Sequence, residues 1–128
     1  MKKTVSENPH YILSLALDKN RAYLKIIGFW RNTEVVSNYL EDWRTTLSLL
    51  KTGFTLLTDA TEMKTHPQEL KKLHEDAQKL VMQAGLAKVA EVVKNDITQF
   101  QLDSVAETTS FPKRTFKSME EAEKWLDA

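Results

Sequence analysis

Cysteine is absent from the 128-residue sequence, which excludes disulfides, thiolate metal sites and thiol nucleophiles together and suits a reducing compartment; a cytoplasmic location is expected. Only three glycines and three prolines occur, too few for a fibrous, low-complexity or linker-rich chain. There is no excess of either charge. The 18 basic and 18 acidic side chains cancel, so no net field draws the protein toward nucleic acid or an anionic membrane. No stretch reaches the roughly 18 apolar residues of a membrane span. The start Met-Lys-Lys-Thr-Val is interrupted at Ser6, Glu7, Asn8, Pro9 and His10 before a signal-peptide core can form. Neither a nucleic-acid partner nor an integral membrane segment is expected.

What is present is ordinary for a globular chain: 41% hydrophobic and 28% charged residues, in a length that fits one domain over residues 1–128. Tyr11 to Leu17 alternates with period two, Asp18 to Arg21 reads as a polar turn, and Ala22 to Phe29 is rich in β-branched and aromatic residues, which together predict an antiparallel hairpin. Val36, Leu40, Trp43, Leu47 and Leu50 then recur at helical spacing over about five turns, with Asn32 or Thr33 as cap and Gly53 beyond the end. A short strand from Phe54 to Thr58 closes on Asp59, and Ala60 to Thr65 reads as a polar loop. Thr65 and Gln68 have the spacing of a capping box for a second helix carrying Leu70, Leu73, Ala77, Leu80 and Ala84. Leu86 to Val93 is the next strand. Asp96 caps a third helix with Ile97, Phe100, Ala106 and Val105 as the candidates for its apolar face, Arg114 to Phe116 is a short strand, and Ser118 with Glu121 caps a last helix.

The order β-β-α-β-α-β-α-β-α predicts an α/β fold. Its two layers are a mostly parallel five-stranded sheet with an antiparallel N-terminal hairpin, and four helices mainly on one face. Lys25, Thr55, Lys88 and Glu91 interrupt the apolar runs of the middle strands, which leaves one face of the sheet partly open.

This order, together with the Asp-ended strand Leu56-Leu57-Thr58-Asp59 and the ending Phe116-Lys117-Ser118-Met119-Glu120-Glu121-Ala122-Glu123-Lys124-Trp125-Leu126, resembles the STAS domains of anti-sigma-factor antagonists and the wider SpoIIAA-like group. The resemblance implies a regulatory or protein-binding module. It departs at the phosphorylation motif. Where the antagonists carry Asp-Ser-Ser-Gly, this chain reads Asp59-Ala60-Thr61-Glu62-Met63-Lys64-Thr65, with neither serine nor glycine, so a phosphoserine switch is not implied. A more distant likeness to lipid-transfer domains of the Sec14 type implies a small apolar ligand instead.

The residues divide along the same two lines. Asp59, Thr61, Glu62, Lys64 and His66 stand where ligands of parallel sheets bind and are the candidates for contact with a protein partner or a second copy of the chain; an Asp at such a place also commonly holds a turn. Trp30, Tyr39 and Phe100 are the candidates for lining an apolar or lipid-like ligand. Trp43 and Trp125 fall on apolar helical faces and are expected in the core. His66 and His74, eight residues apart, would need a distant third ligand to hold a metal, so no metal or cofactor is expected. No nucleophile with its base, glycine-rich phosphate loop or acid–base pair appears, and no enzymatic activity is expected.

Overall fold

The computed structural model describes residues 2–128. Its strands are β1 Lys3–Glu7, β2 Tyr11–Ala16, β3 Arg21–Gly28, β4 Thr55–Met63, β5 Lys88–Val92 and β6 Lys113–Phe116. Its helices are α1 Tyr39–Ser48, α2 Leu70–Gln83, α3 Asp96–Thr109 and α4 Met119–Asp127. The strands form one sheet in sequence order, β1 to β6. The pairs β1–β2 and β2–β3 are antiparallel, and those from β3 to β6 are parallel. The predicted hairpin and parallel succession are present; the predicted count of five strands is corrected to six. The added strand, β1, is mostly exposed and polar, and lies in the sheet by pairing with β2 rather than by burying a face of its own.

The helices lie on both sides of the sheet. One core packs Tyr39 and Trp43 of α1, Leu70, Ala77 and Val81 of α2, and Leu102 and Ala106 of α3 against Leu13, Leu24, Ile26, Leu56 and Val89. A second, smaller core packs Ala122 and Leu126 of α4 against Tyr23, Leu57, Ala90 and Val92 on the opposite face. The two-layer expectation therefore holds for α1–α3, while α4 adds a partial third layer. Arg21, 3% exposed, anchors it: Nη1 lies 2.5 Å from Glu123, Nη2 lies 2.9 Å from Asp127, and Nε donates to Thr55 Oγ1. Lys88 Nζ donates to the carbonyls of Trp125 and Ala128, the helix end where a cation is favoured. Ser118 caps the start by accepting from the Glu121 amide, as the sequence predicts.

The four polar interruptions of the strands thus receive different explanations. Thr55 and Lys88 serve α4, and Lys25 pairs with Glu62 at 2.6 Å on the part of that face which α4 leaves uncovered. Glu91, expected on the open face, points the other way and is buried beneath α1–α3. Lys113 reaches it at 3.2 Å and also pairs with Asp103. The Lys113 side chain is accordingly largely buried rather than solvated. Trp43 is fully buried, but Trp125 is only half-buried, with its ring between Phe116 and the cations of Lys88 and Arg114.

The first helix is shorter than its periodicity predicts. A single 3-10 turn at Glu34–Val36, with Asn32 Oδ1 accepting from the Val35 amide, precedes α1, and Asn38 at φ −95° and ψ 6° breaks the two apart.

Candidate functional site

The carboxyl edge of the parallel strands differs most from the sequence reading, and it is where the fold assembles its polar residues. β4 does not end at Thr58. It outruns β5, whose register stops at Asp59 opposite Val92, and stays paired with β3 through an irregularity to Ile27–Glu62 and Gly28–Met63. Residues 60–63 are therefore strand, not loop. Asp59 lies within β4, and its Oδ1 accepts from both the amide and the hydroxyl of Thr61, at 3.0 and 2.6 Å. Its local role is that of a side chain holding an irregular backbone turn.

The true loop is residues 64–69. α2 starts at Leu70, and its first turn is preceded by amide bonds from Leu70 to Pro67 and from Lys71 to Gln68. Thr65 is not the helix cap, because the chain here is drawn inward at the next residue. His66 is buried, its amide donates to Gln101 Oε1 at 2.9 Å, and its carbonyl accepts from Gln101 Nε2 at 2.7 Å. Thr98 Oγ1 donates to the Met63 carbonyl. Two polar side chains of α3 thus hold the loop in place.

His66 meets His74 at this point. His66 Nδ1 lies 3.0 Å from His74 Nε2, and His66 Nε2 lies 3.2 Å from the Gly28 carbonyl. A carbonyl only accepts, so His66 Nε2 carries a proton, His66 Nδ1 accepts, and His74 Nε2 donates. Both rings stack on Trp30, at centroid distances of 4.7 and 5.1 Å, and Tyr39 meets Trp30 edge-on at 5.0 Å. The Trp30 indole donates to the His10 carbonyl, and the Tyr11 hydroxyl donates to Asp42. Burial pushes His66 down to about 4 and His74 down to about 3, so both are neutral at pH 7. Among the described residues no group of three or more metal-ligating side chains comes together.

The five candidates for partner contact do not form one surface. Asp59 and Glu62 sit with Lys25 on the uncovered part of the α4 face. Thr61 is tied to Asp59, Lys64 is exposed, and His66 is enclosed on the other side of the sheet. The ligand-lining trio separates as well. Trp30 is wholly buried within the aromatic stack and Phe100 is 77% exposed, while Tyr39 alone borders the internal cavity between sheet and helices. That cavity is about 30 Å³, room for water-sized molecules and not for an alkyl chain.

The structure instead shows a groove of about 240 Å³ between α2 and α3, lined by Thr65, Gln68, Lys71, Ile97, Phe100 and Ser104 among others. Ile97 and Phe100, read as the buried stripe of α3, protrude from it; the buried face is Thr98, Leu102, Val105 and Ala106. The helix is capped by Asn95, whose Oδ1 accepts from Thr98, and not by Asp96. The spacing of Leu102, Val105 and Ala106 carries the signal for this rotation, and the bulk of Ile97 and Phe100 obscures it.

No family model matches the sequence, and no curated protein matches it. Solved structures do match in shape. An uncharacterized protein of the DUF3478 family with a SpoIIAA-like fold, from Shewanella loihica PV-4, aligns with a TM-score of 0.66 at 18% identity, over 94% of this chain and 98% of that one. SiaC of Pseudomonas aeruginosa aligns with a TM-score of 0.58 at 11% identity, over 91% and 99%. The fold is SpoIIAA-like, as the order of elements and the C-terminal motif imply.

Proposed function

We propose that this chain is a non-catalytic regulatory module that binds another protein through the groove between α2 and α3. The observation that carries the reading is the pair Ile97 and Phe100, 70% and 77% exposed on a helix whose opposite face is already packed. Side chains of that size, left in water beside Thr65, Gln68, Lys71 and Ser104, give an apolar centre with a polar rim, the composition of a protein-binding patch. Gln101 and Thr98 hold the neighbouring loop in one conformation, so little ordering is needed on binding.

A SpoIIAA-like fold supports a regulatory role at the level of analogy. The histidine pair supports the non-catalytic part. Its rings are stacked, shielded and hydrogen-bonded to each other, which suits packing better than proton transfer to a substrate. An apolar-ligand carrier finds less support, since the internal cavity is of water size.

The test is the double variant Ile97→Asp/Phe100→Asp. Both side chains are exposed, so its stability should stay within about 0.5 kcal/mol of wild type. In pull-downs from the source cells, proteins retained by the wild type should be lost. A well-folded variant retaining all of them would move the interface elsewhere, in the first place to the uncovered sheet face around Lys25, Asp59 and Glu62.

A further inference from the structure

The internal cavity is lined by residues of four elements that a purely apolar core would not place there. Tyr39 and Trp43 come from α1, Thr58 from β4, His74 and Gln78 from α2, and Glu91 from β5. Every residue of the lining is buried. Two of the polar groups lack a hydrogen-bond partner among the described residues: the Trp43 indole N–H and Glu91 Oε1. Lys113 Nζ lies 3.2 Å from that oxygen as an ion pair, but not along a hydrogen-bonding direction. The Tyr39 hydroxyl is close enough to interact with the indole but is outside hydrogen-bonding geometry to it. Trp43 and Glu91 thus both line one small space among buried residues, and their unpaired donor and acceptor lose hydration on folding unless something in that space restores it.

We infer that this cavity is an internal hydration site, binding one or two water molecules that accept from Trp43 Nε1 and donate to Glu91 Oε1. The volume sets the ligand. A water needs roughly 10–15 Å³ of space for its centre, and the cavity offers about 30 Å³. The lining sets the chemistry. An apolar gas or hydrocarbon would leave both groups unpaired, and an ion would need a counter-charge beyond the Glu91–Lys113–Asp103 set, which already contains both signs. Water satisfies a donor and an acceptor at once, and the Thr58 hydroxyl on the same wall can take either part. The bound water then bridges α1 to β5, between which no direct polar bond joins Trp43 and Glu91.

A crystal structure of the wild-type chain, refined at a resolution that shows ordered solvent, tests this directly, with a second crystal pressurised with xenon. The expected result is one or two water peaks within hydrogen-bonding distance of Trp43 Nε1 and Glu91 Oε1, and no xenon between the sheet and α1. Xenon in the cavity, density for an organic molecule, or a closed cavity with the indole bonded directly to Tyr39 would overturn the inference. In solution, oxygen-17 relaxation dispersion counts long-lived internal waters. The count should fall by one or two in Trp43→Phe or in Thr58→Val, whichever remains folded, and an unchanged count in a folded Trp43→Phe chain would overturn it as well.

Discussion

Acid should destabilise this protein well before its carboxylates titrate, because of the His66–His74 pair. In the unfolded chain each imidazole takes up a proton near pH 6.5, whereas in the fold burial holds His66 at about 4 and His74 at about 3. The hydrogen-bond chain leads to the same expectation. Protonating His66 sets two N–H donors against each other where one ring now accepts, and a charge on His74 would be taken fully out of water. Of the groups near the pair, the Gly28 carbonyl favours a proton on His66 and His10 disfavours one, and burial outweighs the first. Below pH 6.5 the unfolded chain therefore binds protons that the folded chain refuses. Stability is complete above that pH and falls as pH drops toward the folded values.

Each histidine costs about 1.4 kcal/mol per pH unit in this window, so going from pH 7 to pH 5 should remove about 3–4 kcal/mol for the pair. Glu91 acts in the opposite sense. Burial raises its pKa against the pull of Lys113, so acidification relieves rather than adds strain there. Urea melts at pH 7 and pH 5, followed by circular dichroism so that quenching of Trp30 by a charged imidazole does not mimic unfolding, measure the difference. The double variant His66→Gln/His74→Gln retains amide donors but cannot be charged, and should lose most of the slope. A wild-type loss below about 1 kcal/mol, or an equal slope in the variant, would refute the argument.

Trp43→Ala removes a fully buried ring and should cost about 3–5 kcal/mol in a denaturant melt. Arg21→Met cuts the tie between β3 and α4; with Glu123 and Asp127 partly exposed, the cost should be about 1–2 kcal/mol, and hydrogen exchange should accelerate in residues 119–127 more than in α1 or α2. Gly85→Ala combines a φ of +101° with a Cβ 2.7 Å from Thr52 Cγ2, so it should cost more than about 1 kcal/mol. Gly53→Ala, at φ +91° but with open space around it, should cost less in the same melt.

The parts of this fold legible in the sequence are those that declare themselves locally. The hairpin follows from alternation and a polar turn, α2 and α4 from apolar stripes, and the α4 cap from Ser118 and Glu121 three residues apart. β1 is a polar segment and the extension of β4 mixes Thr61 and Glu62 with Ala60 and Met63; the extended form of both comes from the neighbour they pair with, Lys3 opposite Leu15 and Met63 opposite Gly28. Period and propensity carry little of that, because strand preference depends on context.

The candidate site fails to appear for a related reason. A polar residue with no visible partner is assigned to solvent, and a bulky apolar one to the core. Glu91 finds Lys113 twenty-two positions on, His66 finds Gln101 thirty-five positions on, and Thr98 finds the Met63 carbonyl. Each polar group is buried because its partner is supplied by another element, and each contact displaces something else: with Thr98 turned inward to hold Met63, α3 must present Ile97 and Phe100 to water. The exposed pair is thus a consequence of the buried ones. Substituting Thr98 rather than the apolar residues themselves should therefore disturb the groove from beneath, by releasing the helix face that it fixes.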